Sequence, residues 1–347
     1  MTNKKTEIKS LPMQKQFLEK IKSLVVKKKE YIEEISKLLE ISTDSTYRRF
    51  RGDTSLTLEE IIRLCEFYKV DFDFESHSTN LVLFRYNYLK NLQGFEDYLK
   101  GVLKQIKKLQ KSKVKEIFFL ALDVPMFHHF KHPTLAAFKV FFWLKNVVDD
   151  ASFKNTKFQN GLISAELLKT GKQIYDAYAT ISSTEIWTAN TANSLISQIE
   201  FSWNSGLFES KEIALQVCKE ATDEIKLIHK KSGACSKELS NIDSSLNYNY
   251  FLYLSDMEFS NNCIYIKHDE SQEVYLGFQT INNITSIDQT FCSETSQWIE
   301  TLKEKSILIS GLGEKQRYVF FESIFENLER LKKKISSSEI DFNITTY

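Results

Sequence analysis

The sequence predicts a multi-domain protein: an all-α N-terminal domain built on a helix-turn-helix, then a larger, mainly helical α+β region. Three observations carry this. Residues Tyr31 to Asp73 alternate apolar, small, capping and basic residues at helical spacing. Lys115–Leu122, KEIFFLAL, is apolar almost throughout and bounded by Asp123 and Pro125, as a strand buried on both faces requires. Helical periods recur between that strand and further β-like runs after Tyr250.

The chain has 347 residues, enough for two or three cores. With 26 Phe and 15 Tyr against 10 Gly and 3 Pro, regular packed elements are expected rather than long linkers. The formal charge is zero but uneven. Met1 to Gly52 holds 13 Lys/Arg against 7 Asp/Glu, and Asp53 to Glu75 holds 2 against 7. A basic segment followed by an acidic one suits a protein that offers one edge to phosphates. Five scattered cysteines without a CxxC pair read as reduced thiols, giving neither a disulfide framework nor a zinc site. With a polar, basic start and no apolar stretch of about 20 residues, a cytoplasmic protein without membrane contact is expected.

In order, residues 1–11 read as a polar arm and Pro12 as a first-turn residue. Met13, Phe17, Ile21, Leu24 and Val25 mark a first helix ending at Lys27–Lys29. Tyr31 to Leu39 is the second helix, with Ser36 the small residue that a close crossing needs, and Glu40-Ile41-Ser42 the turn. On the third helix Tyr47 and Phe50 are expected to face inward. Thr43, Asp44, Ser45, Thr46, Arg48, Arg49 and Arg51 are then left as the DNA-binding set, short polar groups for base edges and arginines for phosphate or guanine. Gly52 ends that helix. Leu56 to Tyr68 is a fourth helix, and Val70, Asp71 and Phe72 close the domain at about residue 75.

This segment resembles the Cro/repressor-type, XRE-like helix-turn-helix family, whose third helix reads DNA. It departs by carrying Glu40 where the family has Gly, and by one extra residue between Ile41 and Tyr47. STDSTYRRFRGDTSLTLEE and the downstream aromatic, His-containing block also resemble helix-turn-helix proteins of Bacteroidetes-type bacteria over most of the chain. The resemblance implies a sequence-specific transcriptional regulator of double-stranded DNA. No Walker lysine, G-x-S-x-G elbow or complete dinucleotide fingerprint appears, so neither enzymatic activity nor a cofactor is expected, and a homodimer is expected because one such helix reads only a few base pairs.

Residues 76–112 read as a connecting segment, with alternating Leu81 to Tyr88 and a helix from Phe95 to Leu109. Residues 113–347 read as an effector and dimerisation region that could take a small apolar or aromatic effector, with a sub-boundary at 232–249 placed in a polar loop. The amphipathic run Glu314 to Ile335 is its last helix, a packing element or a dimer seam. His128, His129 and His132 lack the spacing and acidic partner of a metal site and read as part of an aromatic packing surface. His129-Phe130-Lys131 and His229-Lys230-Lys231 give the H-x-K start of a phospholipase-D-type motif, but Ala136 stands where the first would need aspartate. The alternatives are therefore a protein-docking head, or a regulator with an inactive phospholipase-D-like sensor.

Overall fold

The computed structural model describes residues 13–24, 31–68, 70, 81–238, 249–269 and 271–338. The expected polar arm, Pro12, Val25, the Lys27–Lys29 run, Asp71 and Phe72 lie outside them. The chain divides into two compact units, Met1–Leu81 and Val82–Tyr347.

The first unit contains α1 (Met13–Leu24), α2 (Tyr31–Leu39), α3 (Thr43–Arg51) and α4 (Leu58–Tyr68). Phe17, Leu18, Ile21, Ile35, Leu39 and Leu64 are its buried apolar core. Two main-chain devices set the turn between α2 and α3. Glu40 adopts left-handed φ (+58°), and the Ile41 N–H reaches back to the Ser36 carbonyl at 3.0 Å, closing α2. This is the position where the resembled family uses glycine, because a Cβ there is strained. Ser42 then caps α3, its hydroxyl accepting from the Ser45 N–H at 3.1 Å. Gly52, with φ +86°, closes α3 by donating to the carbonyls of Arg48 and Arg49.

The second unit is built on one eight-stranded mixed sheet in the order β1-β7-β6-β5-β2-β3-β4-β8. The strands are β1 (Arg85–Tyr86), β2 (Lys115–Ala121), β3 (Ser183–Thr188), β4 (Tyr250–Ser255), β5 (Cys263–His268), β6 (Ser271–Phe278), β7 (Asn282–Ser286) and β8 (Ile307–Leu308). The central β2, β3 and β4 are parallel, joined by helical crossovers, and all the outer pairings are antiparallel. The helices are α5 (Leu92–Gln110), α6 (Met126–His129), α7 (Pro133–Asn146), α8 (Ala165–Ala179), α9 (Asn193–Asn204), α10 (Lys211–Ala234), α11 (Gln289–Glu304) and α12 (Glu314–Ser337). This is the mixed α+β, mainly helical architecture expected of the larger region.

Strand β2 explains why its sequence is apolar without alternation. Ile117, Phe119 and Ala121 enter the large core with α5, α7, α8, α9, α10 and α12. Phe118 and Leu120 enter a smaller core on the other face, with Ile299 and Leu302 of α11.

Three expectations are corrected here. α5, read as part of a connector, sends Phe95 and Leu99 fully into the large core. The alternating run Leu81 to Tyr88 yields only the two-residue β1, whose partner β7 was not anticipated. The start of the expected loop 232–249 is instead ordered: α10 continues to Ala234, and the buried Lys237 donates to the carbonyls of Tyr178 and Ile181. Of the two readings of α12, its apolar stripe is the packing element: Phe320, Phe321, Ile324, Leu328, Leu331 and Ile335 are buried in this unit's own core.

Gly171 of α8 is where Phe130, in the link between α6 and α7, presses closest. A Cβ built there would lie 2.4 Å from the Phe130 ring. Gly171→Ala should therefore destabilise the protein by about 1–3 kcal/mol through overpacking. A urea midpoint unchanged from the parent would refute this fit.

Candidate functional site

The structure separates the expected DNA-binding residues into two faces of α3. Thr43, Asp44, Arg48 and Arg51 are exposed, and Ser45 is half-buried beside its cap. Thr46 is not on the outside: it is 1% exposed, its hydroxyl 2.9 Å from the Ser36 hydroxyl and 3.2 Å from the Ser42 carbonyl. Tyr47, expected inside, is 49% exposed. The physical reason is the closeness of the α2–α3 crossing. Ser36 and Thr46 are small enough to meet there and satisfy each other's hydroxyls, where a phenol ring would hold the helices apart. Phe50, one turn beyond Thr46, does turn inward and packs edge-on against Tyr31 at 5.1 Å.

Arg49 is also displaced from the expected set. Its guanidinium forms a fork on Glu60 of α4 at 2.7 and 3.0 Å, and a third bond reaches the Ser45 carbonyl at 3.1 Å. Both side chains of the pair are only about one-eighth exposed, at 13% and 12%. Burial pushes the Glu60 carboxyl up, but the Arg49 bonds and charge and the Thr57 N–H outweigh it and hold the carboxyl below its ordinary value. Arg49 is thus a clamp between α3 and α4. The outward face is Thr43, Asp44, Tyr47, Arg48 and Arg51, successive turns of one helical stripe. Arg48 pairs with Asp44 at 3.0 Å and Arg51 with Asp53 at 2.8 Å, all four exposed and hence weakly held.

The second unit holds a buried polar network. Glu185 of β3 is fully buried and accepts four bonds. Tyr178 Oη (2.7 Å) and His128 Nε2 (2.8 Å) reach one oxygen; Trp187 Nε1 (2.9 Å) and Tyr250 Oη (3.0 Å) reach the other. Burial would raise its pKa, but the His128 charge, the hydrogen bonds and Lys237 lower it to about 2. Next to it His129 Nδ1 meets Glu224 of α10 at 2.9 Å, both buried. Burial raises the Glu224 carboxyl to about 7 and drives the His129 imidazolium well below its ordinary range. Burial thus favours the neutral form of both groups.

The sequence reading placed these histidines on a packing surface and missed their carboxylate partners, which lie 57 and 95 residues away. One signal was available: a glutamate in the middle of STEIWT, a strand otherwise suited to full burial, needs a buried cation or several donors. The two H-x-K histidines have separate surroundings, His129 on Glu224 and His229 stacked on Phe321 at 4.7 Å. Between α9 and α12 lies a groove of about 320 Å³ lined by residues that include Asn193, Glu200, Arg330 and Lys334. Among the described residues no helix is long and apolar enough to cross a membrane.

Comparison of the sequence with protein-family models and with curated proteins, and of the fold with solved structures, found no match.

Proposed function

We propose that the first unit binds double-stranded DNA through α3, as the reading head of a sequence-specific transcriptional regulator. The observation that carries the reading is the outward stripe of α3: short polar groups and Tyr47 toward the N-terminal end, Arg48 and Arg51 toward the C-terminal end. Short polar groups and a phenol can reach base edges, while arginines at the other end grip phosphate or guanine. The inward stripe of Thr46, Arg49 and Phe50 ties the helix to α2 and α4, which fixes the presented face. One such helix reads only a few base pairs, so a homodimer on a two-fold site is the expected form.

The test is selection of duplexes from a random-sequence pool, followed by titration of a selected duplex. Arg48→Ala with Arg51→Ala should weaken binding by roughly tenfold or more per arginine, at about 1–3 kcal/mol each. The salt dependence should flatten by about 0.9 log units for each phosphate no longer neutralised. Unchanged affinity in that double variant would overturn the assignment. The protein-docking reading of the head draws on Leu58 and Ile62 of α4, exposed one turn apart, with Phe67 exposed nearby. It predicts no enriched duplex in the same selection.

A further inference from the structure

Tyr175 of α8 stands under three ammonium groups. Lys231 Nζ of α10 lies 4.7 Å from the ring centroid and also donates to the Tyr175 hydroxyl at 2.8 Å. Lys131 Nζ, from the link between α6 and α7, and Lys172 Nζ of α8 each lie 5.5 Å from the same centroid. Three cations on one ring repel one another unless anions separate them. Lys172 has its own anion, Asp176 at 2.5 Å. Among the described residues, no carboxylate lies within ion-pair distance of Lys131 or Lys231.

The two nearby carboxylates are already used. Glu185 takes His128, Tyr178, Trp187 and Tyr250, and Glu224 is hydrogen-bonded to His129. Lys231 is 3% exposed, and an ammonium buried at that depth is retained only with strong compensation. Burial lowers it to about 8; Glu185 and Glu224 oppose that fall, and the Lys131 charge adds to it. Two ammonium groups without an ion-pair partner among the described residues thus flank one ring. The Tyr175 hydroxyl accepts from Lys231 and keeps its own proton free to donate.

We infer that Lys131, Lys231 and the Tyr175 hydroxyl form a binding site for a phosphate-type dianion, as the free ion or as the phosphate of a small metabolite. Two ammonium groups without an ion-pair partner among the described residues match two negative charges, and with the Tyr175 hydroxyl they are three donors from three elements gathered about one ring. Lys131 is exposed, so the site has a solvent side from which an ion can enter. The effector class is thus an oxyanion rather than the apolar or aromatic molecule that aromatic content alone suggested. The inference does not rest on the DNA-binding reading, because its readout contains no DNA.

The experiment is calorimetric titration of the full chain with inorganic phosphate at fixed ionic strength and pH 7. The parent should bind saturably. Lys131→Ala, at an exposed position that leaves the core intact, should weaken binding at least tenfold. Tyr175→Phe keeps the ring and should weaken it severalfold, and Arg330→Ala in the α9–α12 groove should change nothing. No saturable binding by the parent, or equal affinity in Lys131→Ala, overturns the site. Acetate bound as tightly as phosphate overturns the dianion assignment. Phosphate binding while a glucose-phosphate does not bind restricts the site to the free ion and removes the metabolite reading.

Discussion

Replacing Glu185 by alanine should destabilise the second unit by about 4 kcal/mol, the cost of breaking a buried, hydrogen-bonded ion pair. The magnitude follows from what the carboxylate holds. His128, Tyr178, Trp187 and Tyr250 all donate to it, and it lies fully out of solvent. Removing it leaves His128, Trp187 and Tyr250 without that acceptor in a space that water enters poorly, and Tyr178 with only its bond to Ser183. The buried Lys237, on the Tyr178 ring at 3.5 Å, loses the carboxylate that opposes its neutralisation. Against a typical total of about 5–15 kcal/mol, that loss is enough to unfold a unit at the lower end of the range. Urea denaturation followed by tryptophan fluorescence measures it directly, since Trp187 is itself a donor. A midpoint within experimental error of the parent would show that Glu185 is dispensable.

The same carboxylate gives the pH dependence a sign. Its folded pKa is depressed, so its contribution is fully present above the ordinary carboxylate range and is lost as pH falls from there toward 2. The neighbouring pair behaves differently. Raised Glu224 makes stability decline as pH climbs from the ordinary carboxylate range to about 7, whereas depressed His129 makes stability rise up to the ordinary imidazole range. These two slopes oppose each other between the ordinary carboxylate and the ordinary imidazole ranges.

The two units were legible to different degrees, for physical reasons. α2 was readable because its apolar residues follow one helical stripe and Glu40 to Ser42 break it with turn and capping chemistry. β2 was readable because only a strand covered on both faces tolerates KEIFFLA. The inward face of α3 was misread because bulk was taken as the mark of burial. The crossing with α2 instead selects the small Thr46 and expels Tyr47, and no residue in α3 alone states how close α2 will come. β7 was missed because NNITS is short and polar, and it becomes a strand only by pairing with β6. The polar network was hidden for the reason that hides most tertiary contacts: its members are ordinary residues until the fold joins them.

Arg49→Ala should unfold the head while leaving the second unit intact, at a cost of about 3 kcal/mol for an unpaired, mostly buried Glu60. A unit of this size has little stability to lose, because its buried apolar core is a handful of side chains. All four tryptophans, Trp143, Trp187, Trp203 and Trp298, belong to the second unit, so the two units give separate signals. The expected result is an early loss of helical circular dichroism at low urea with the fluorescence transition unmoved. Arg49→Lys, which keeps the charge and loses the fork, should fall between the variant and the parent. This separates two ways of losing DNA binding that a simple assay would merge. Arg48→Ala with Arg51→Ala strips the reading face of a folded head, whereas Arg49→Ala removes the fold that presents it. If Arg49→Ala melts like the parent yet no longer binds duplex, Arg49 touches the nucleic acid and the clamp is wrong.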